Sequence, residues 1–170
     1  MIKVWDPFIR IFHWSLAISF LLEWLVAGSF KSFHMYLGYF IGFLVLLRVT
    51  WGFIGPKYAK FNNFIYSKEI IINYLKSILT GKSERYIGHN PLGGLNILIL
   101  LILILSTGLT GWMQTQDIFW GNSLIQGLHS LTGNSIWFFV ALHLLGVVFS
   151  SIMHKENLVK AMITGKKIKT

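Results

Sequence analysis

Four long apolar stretches alternate with polar segments along the chain, at about 8–27, 34–53, 92–112 and 127–153. Each is long enough to cross a bilayer as an α-helix, which takes about 20 predominantly apolar residues. Pro7 suits the first turn of the first span, where a missing N–H costs nothing. Gly28–Phe33 is a tight connection between spans one and two, and Gln114–Gln126 is a polar one between spans three and four. The long polar stretch Gly55–Pro91 has its own period. Ile71, Tyr74, Leu75, Ile78 and Leu79 recur at helical spacing over about 67–80, with Ser67 as N-cap and Gly81 as a stop. The pattern predicts an all-α integral membrane four-helix bundle, one domain over 1–170, with an interfacial amphipathic helix between spans two and three.

Charge sets the expected orientation. Lys3 and Arg10 flank the first span, six Lys and Arg from Lys57 to Arg85 fill the middle loop, and five lysines from Lys155 to Lys169 lie in the tail. The first connection holds only Lys31 and the third none. The positive-inside rule then puts both termini and the middle loop in the cytoplasm, in a bacterial inner membrane. The net charge of +9 over 170 residues is thus a topology signal and a contact for anionic lipid, with no call for nucleic acid. Mean hydropathy is +0.62 and 54% of residues are hydrophobic, too apolar for a soluble globule of this size. No cysteine is present, which excludes disulfides, iron–sulfur clusters and thiolate metal sites. No cleavable signal is expected. Trp5 and Trp51 on the inner side, and Trp24, Trp112 and Trp120 on the outer, suit interfacial belts.

The last span carries His129 and His143, fourteen positions apart. That spacing rises roughly 21 Å and returns to within about 40° of the starting azimuth. Ionisable residues inside a membrane helix are functional candidates by default, and neutral imidazole is a standard axial ligand of haem iron. A pair of histidines hydrogen-bonded inside the bundle is the competing reading. Membrane depth decides between them. With the first span running outward and the second and fourth inward, His34 and His129 are outer while His13 and His143 are inner. Each pair draws on two helices, as two bis-histidine haems b require.

Other residues fit around these levels. Gly94 and Gly108 are again fourteen apart and admit either a flat macrocycle at each level or ordinary small-residue helix packing. Gly38 and Gly133 near the outer ligands, and Gly146 near His143, admit the same two readings. Arg48 lies fourteen after His34 and needs an anion if buried; a propionate of the inner haem is the expected partner, with Arg10 as second donor, and snorkelling to the surface the alternative. His89, Asn90 and His154 sit at the inner ends of the spans, too shallow for axial ligation; they are the candidates for a quinone site, with His89 and His154 shaping the inner haem site, or simply anchoring helix ends at the interface, as the alternatives. Glu23 is read as a protonated or Lys31-paired carboxyl, with proton exchange at the outer side as the alternative.

Several motifs together resemble a known family. They are Val-Trp-Asp-Pro-Phe-Ile-Arg-Ile-Phe-His-Trp from Val4, His-Met-Tyr-Leu-Gly-Tyr from His34, and Arg-Val-Thr-Trp-Gly-Phe-Ile-Gly-Pro-Lys-Tyr-Ala-Lys-Phe from Arg48. They continue in Gly-His-Asn-Pro-Leu-Gly-Gly from Gly88, in the two histidines of the last span, and in His-Lys-Glu-Asn-Leu-Val-Lys-Ala-Met-Ile-Thr-Gly-Lys from His154. Over nearly its whole length the chain resembles the bacterial four-helix di-haem cytochrome b561 proteins, close to the b-type cytochrome subunits of nickel–iron hydrogenases. The resemblance implies electron transfer between the quinone pool and a redox partner, as a subunit of an oxidoreductase system rather than a stand-alone enzyme. It implies His13, His34, His129 and His143 as haem ligands. Hydrogenase subunits of this kind usually carry additional length or a further helix, so a c-type cytochrome or another oxidoreductase stands beside hydrogenase as the expected partner. A homo-oligomer stays open.

Two other functions compete. A quinone reductase oxidising superoxide or ascorbate would work without any partner, although Lys31 alone offers little anion steering on the outer loops. A non-redox channel or membrane interaction protein would purify colourless.

Overall fold

A computed structural model describes residues 1–169. Four helices are long and apolar enough to cross a membrane: α1 (Pro7–Val26), α2 (Lys31–Ile54), α4 (Pro91–Met113) and α5 (Ser123–Met153). Between the middle two lies α3 (Lys68–Leu79), and α6 (Leu158–Thr164) follows α5. The architecture is the expected all-α membrane bundle, with observed bounds within a few residues of the expected ones. Their starts follow from local chemistry. Asp6 accepts from Ile9 N ahead of Pro7, and Asn90 accepts from Gly93 N ahead of Pro91. Asn122 caps α5, Ser67 caps α3 and Asn157 caps α6. Each side chain satisfies backbone donors that no helix turn can reach.

α5 packs most extensively on α4, while α2 packs on both α1 and α4. Ile41 and Val45 of α2, Leu101 and Ile104 of α4, and Ile136 of α5 form the core with Phe61 and Phe64 from the loop after α2. α1 and α5 scarcely meet through backbone; aromatic rings bridge them, Trp137 of α5 lying 4.8 Å from Phe20 and 5.4 Å from Trp24 of α1. A gap therefore opens along one side of the bundle. Helix α3 turns Ile71, Tyr74 and Ile78 inward, while Ile70, Ile72, Leu75 and Leu79 are exposed. Leu75 and Leu79 thus leave the face assigned to them and join an outward apolar surface.

The two ends of the chain are tied together, which the pattern of apolar positions did not foretell. Strand β1 (Ile2–Lys3) pairs antiparallel with β2 (Lys166–Lys167), and the Gly165 carbonyl accepts from Val4 N and Trp5 N. Gly165 has φ +78°, and a Cβ there would strike the Trp5 carbonyl, so this turn needs glycine. Trp5 is buried against Val4, Ile9, Ala59 and Ala161 instead of standing in an interfacial belt. Trp24, Trp112 and Trp120 are exposed, as a belt requires. Lys167 is buried too, 3.4 Å from Glu156 and donating to the Tyr86 carbonyl. Glu156 also takes two hydrogen bonds from Arg85, at 3.0 and 3.3 Å.

Burial alone would raise the Glu156 carboxyl; the Arg85 hydrogen bonds and the charges of Lys167 and Arg85 outweigh it and hold Glu156 below the usual range. A depressed carboxylate stabilises the fold above its unfolded value, near pH 4.3, and loses that contribution as pH falls through its folded value. Glu156→Gln should therefore weaken the docking of the tail by about 3 kcal/mol, because it leaves buried cations uncompensated. Limited proteolysis of the tail at neutral pH measures this, and the wild-type tail should loosen only in acid.

Candidate functional site

The gap holds the histidines. His13 of α1 faces His143 of α5 with ring centroids 6.3 Å apart, and His34 of α2 faces His129 of α5 at 6.2 Å. The pairing is the one that depth suggested, and all four rings are half-buried. A cavity of about 670 Å³ surrounds the second pair, lined from α1, α2, α4 and α5. That is within the roughly 300–1,000 Å³ range of cofactor pockets.

Each ring of this second pair has a polar neighbour at Nδ1. His129 Nδ1 lies 3.0 Å from the Thr107 carbonyl and 3.4 Å from Thr110 Oγ1. Because a carbonyl only accepts, Nδ1 carries the proton and Nε2 is left as the free lone pair. His34 Nδ1 lies 3.1 Å from Glu23 Oε1, without the alignment of a full hydrogen bond. Glu23 is thus next to His34 rather than paired with Lys31. Gly111 gives the His129 ring its space, since a Cβ there would sit 3.0 Å from Cε1. Sequence reasoning missed Gly111; its place one turn beyond Gly108 was the available signal.

The other glycines divide. Gly108 lines the cavity with open space before it, and Gly133 also lines it. Gly38 serves a different neighbour than expected: a Cβ there would sit 3.3 Å from Glu23 Oε1, so it makes room for a carboxylate. Gly94 is a clearer correction. A Cβ there would run into the Phe64 carbonyl oxygen, so Gly94 admits the loop backbone and leaves no room for a macrocycle. Gly146 has nothing within 4 Å.

Toward the other end of the gap, buried polar atoms without partners gather near His13 and His143. They are Arg10 Nε, Arg48 Nη1, Trp51 Nε1, His89 Nδ1, Asp6 Oδ2 and His13 Nδ1. Arg48 is only 4% exposed, which rules out snorkelling. It donates to the Ala59 carbonyl at 3.1 Å and lies 5.1 Å from the Phe61 ring centre, a cation–π distance. His89 is stacked between Trp5 and Phe64, 4.7 Å from each. Burial, then the Arg48 charge, pushes its imidazole down to about 3, so His89 is neutral at physiological pH. The Asn90 side chain is engaged in capping α4, and His154 is the C-cap of α5 beside the Arg85–Glu156–Lys167 cluster. His89 and Asn90 of the expected quinone trio are thus engaged within the fold, and neither cavity described for the chain is lined by His89, Asn90 or His154.

Residues 4–165 match the family described as prokaryotic cytochrome b561. The chain belongs to that family. It is a multi-pass bacterial membrane b-type cytochrome of electron transfer, and haem b is its cofactor. Three curated relatives are each named a probable Ni/Fe-hydrogenase B-type cytochrome subunit. The one from Rhizobium leguminosarum bv. viciae is 23% identical, covering 98% of this chain and 89% of its own length. Those from Bradyrhizobium diazoefficiens and Rhodobacter capsulatus are 22% and 24% identical, covering 98% of this chain and 85% and 81% of theirs. No solved structure matches.

The residues present fit haem: facing imidazoles with free nitrogens, a cavity at one pair, and unpartnered cationic donors at the other. Gly94→Leu tests the division of the glycines. It should displace the loop at Phe64 and lower the thermal midpoint by the equivalent of about 2 kcal/mol, within the overpacking range, yet leave haem per chain unchanged. Loss of haem in step with a normal midpoint would return Gly94 to the cofactor.

Proposed function

We propose that the chain holds two haems b, each between two histidines, and carries electrons across the membrane between the quinone pool and a protein redox partner. One observation carries this reading: two histidine pairs, each drawn from two helices, with ring centroids 6.2 and 6.3 Å apart. Metal–imidazole bonds are about 2.0 Å, so an ion shared by rings on opposite sides sets the centroids roughly 6 Å apart. The bound haem supplies reversible one-electron chemistry, with a potential set by its ligands, its burial and the hydrogen bonds around it.

The chain's own residues do the rest. His13 and His143 at one level, and His34 and His129 at the other, would each hold one haem between two imidazoles, which would leave the iron no open site for dioxygen or substrate. Arg10 and Arg48, with Trp51 and His89 beside them, present unpartnered donors to the anionic propionates of the inner haem. The same positive charge favours the reduced state there.

Lysine and arginine distribution supports cytoplasmic termini in the inner membrane, which makes the His13–His143 level the inner one. The names of the relatives favour a hydrogenase as partner, with a c-type cytochrome or another oxidoreductase as the other candidates, docking on the outer loops. Quinone exchange belongs near the inner haem, where His154 is the member of the expected trio whose side chain is neither stacked nor engaged in capping.

A pyridine haemochrome assay should return two haems per chain; one or none defeats the proposal. His34→Ala and His129→Ala should each remove one haem, and His13→Ala and His143→Ala the other, as read by reduced-minus-oxidised spectra. Loss in any other grouping contradicts the pairing. Arg48→Gln should leave the inner haem bound and lower its midpoint potential, because a positive charge that stabilises the added electron is removed. An unchanged redox titration would take Arg48 out of the haem site.

A further inference from the structure

The two histidine pairs differ in what stands behind them. His129 is backed by a neutral carbonyl, that of Thr107, at 3.0 Å. His34 is backed by a carboxylate, that of Glu23, at 3.1 Å. The contact is prepared from both sides. Glu23 lies near the end of α1 and His34 near the start of α2, and Gly38, one turn after His34, leaves the space in which Glu23 Oε1 sits. Glu23 lines the cavity with His34 and His129, and its Oε2 is buried without a partner. Lys31 lines the cavity as well but makes no ion pair with Glu23 among the described residues. At the inner pair His13 Nδ1 has no hydrogen-bond partner either, no carboxylate pairs with His13 or His143 among the described residues, and the charged groups gathered nearby are Arg10 and Arg48 together with Asp6.

We infer that Glu23 is a positioning residue for the outer haem: it accepts a hydrogen bond from the Nδ1–H of His34, leaving Nε2 for the iron, and holds the outer haem at a lower potential than the inner one. This rests on the two-haem reading above. The physical reason is that a carboxylate behind a metal-bound imidazole fixes its tautomer and raises its basicity. A more basic axial ligand, next to a fixed negative charge, favours ferric over ferrous iron. With two arginines against the single carboxylate of Asp6 at one level, and Glu23 directly behind a histidine at the other, the equilibrium electron density would lie at the inner haem. The outer haem is then the entry for electrons from a donor outside, and the inner haem the exit.

Spectroelectrochemical titration of the full-length protein in detergent, with low-temperature electron paramagnetic resonance of the oxidised state, tests this. Haem per chain in the wild type comes first: a single haem overturns the two-haem reading and this inference together. With two haems present, Glu23→Gln should retain both, raise the midpoint of the outer haem alone, and shift only that haem's resonance. Glu23→Asp, which restores a carboxylate, should move the midpoint part of the way back. An unchanged outer midpoint in Glu23→Gln overturns this inference alone. So does loss of the outer haem from both variants, which would make Glu23 a clamp between helix ends, or an equal shift at both haems.

Discussion

An imidazole buried among apolar helices must find a partner, and most of this structure follows from how four of them do so. In hydrocarbon an unsatisfied polar group has no water to fall back on. His129 is anchored to α4 through the Thr107 carbonyl, and His34 lies 3.1 Å from Glu23 of α1. Both helix pairs are thereby set in register at one level of the bundle. The α4–α5 contact is close, Gly111 giving way to the His129 ring, while α1 and α5 are spaced by aromatic side chains. The bundle is thus tight on one side and open on the other, and the open side is where the imidazoles face one another.

The half of the bundle at the His13–His143 level obeys the same constraint with cations. Arg48 is held by the Ala59 carbonyl and by the faces of Phe61 and Phe64, so the loop after α2 folds back over the bundle instead of spreading on the surface. Gly94 lets that loop approach α4, and His89 stacks on Phe64 from the other side. The tail then closes over the loop before α4 through Glu156, which binds Arg85 and Lys167. Two of the basic residues read as topology signals, Arg85 and Lys167, are thus engaged with a buried carboxylate.

The spans, the amphipathic helix and the histidine pairing were legible because they depend on periodicity and depth, which the linear chain carries directly. The pairing of His13 with His143 needed only the direction of each span. What escaped depends on backbone in loops. By sequence Gly94 admits either room for a macrocycle or close helix packing, because its spacing to Gly108 is regular, but the backbone of Phe64, thirty residues earlier, occupies that room. Trp5 looked like a belt residue because nothing local says that Gly165 will return to pair with it. Glu23 and His34 lie in different helices across a connection whose geometry the pattern leaves open, so Lys31 was the nearer candidate by sequence. His89 and Asn90 looked available to a ligand until stacking and capping were seen to engage them.

The central claim is that both histidine pairs close on iron from opposite sides. Electron paramagnetic resonance of the air-oxidised wild-type protein, extracted with its native haem, tests it most directly. Two low-spin ferric signals with no high-spin component are expected, because every axial position is filled by imidazole. A high-spin signal from either haem would mean an open or water-filled position and would contradict the account.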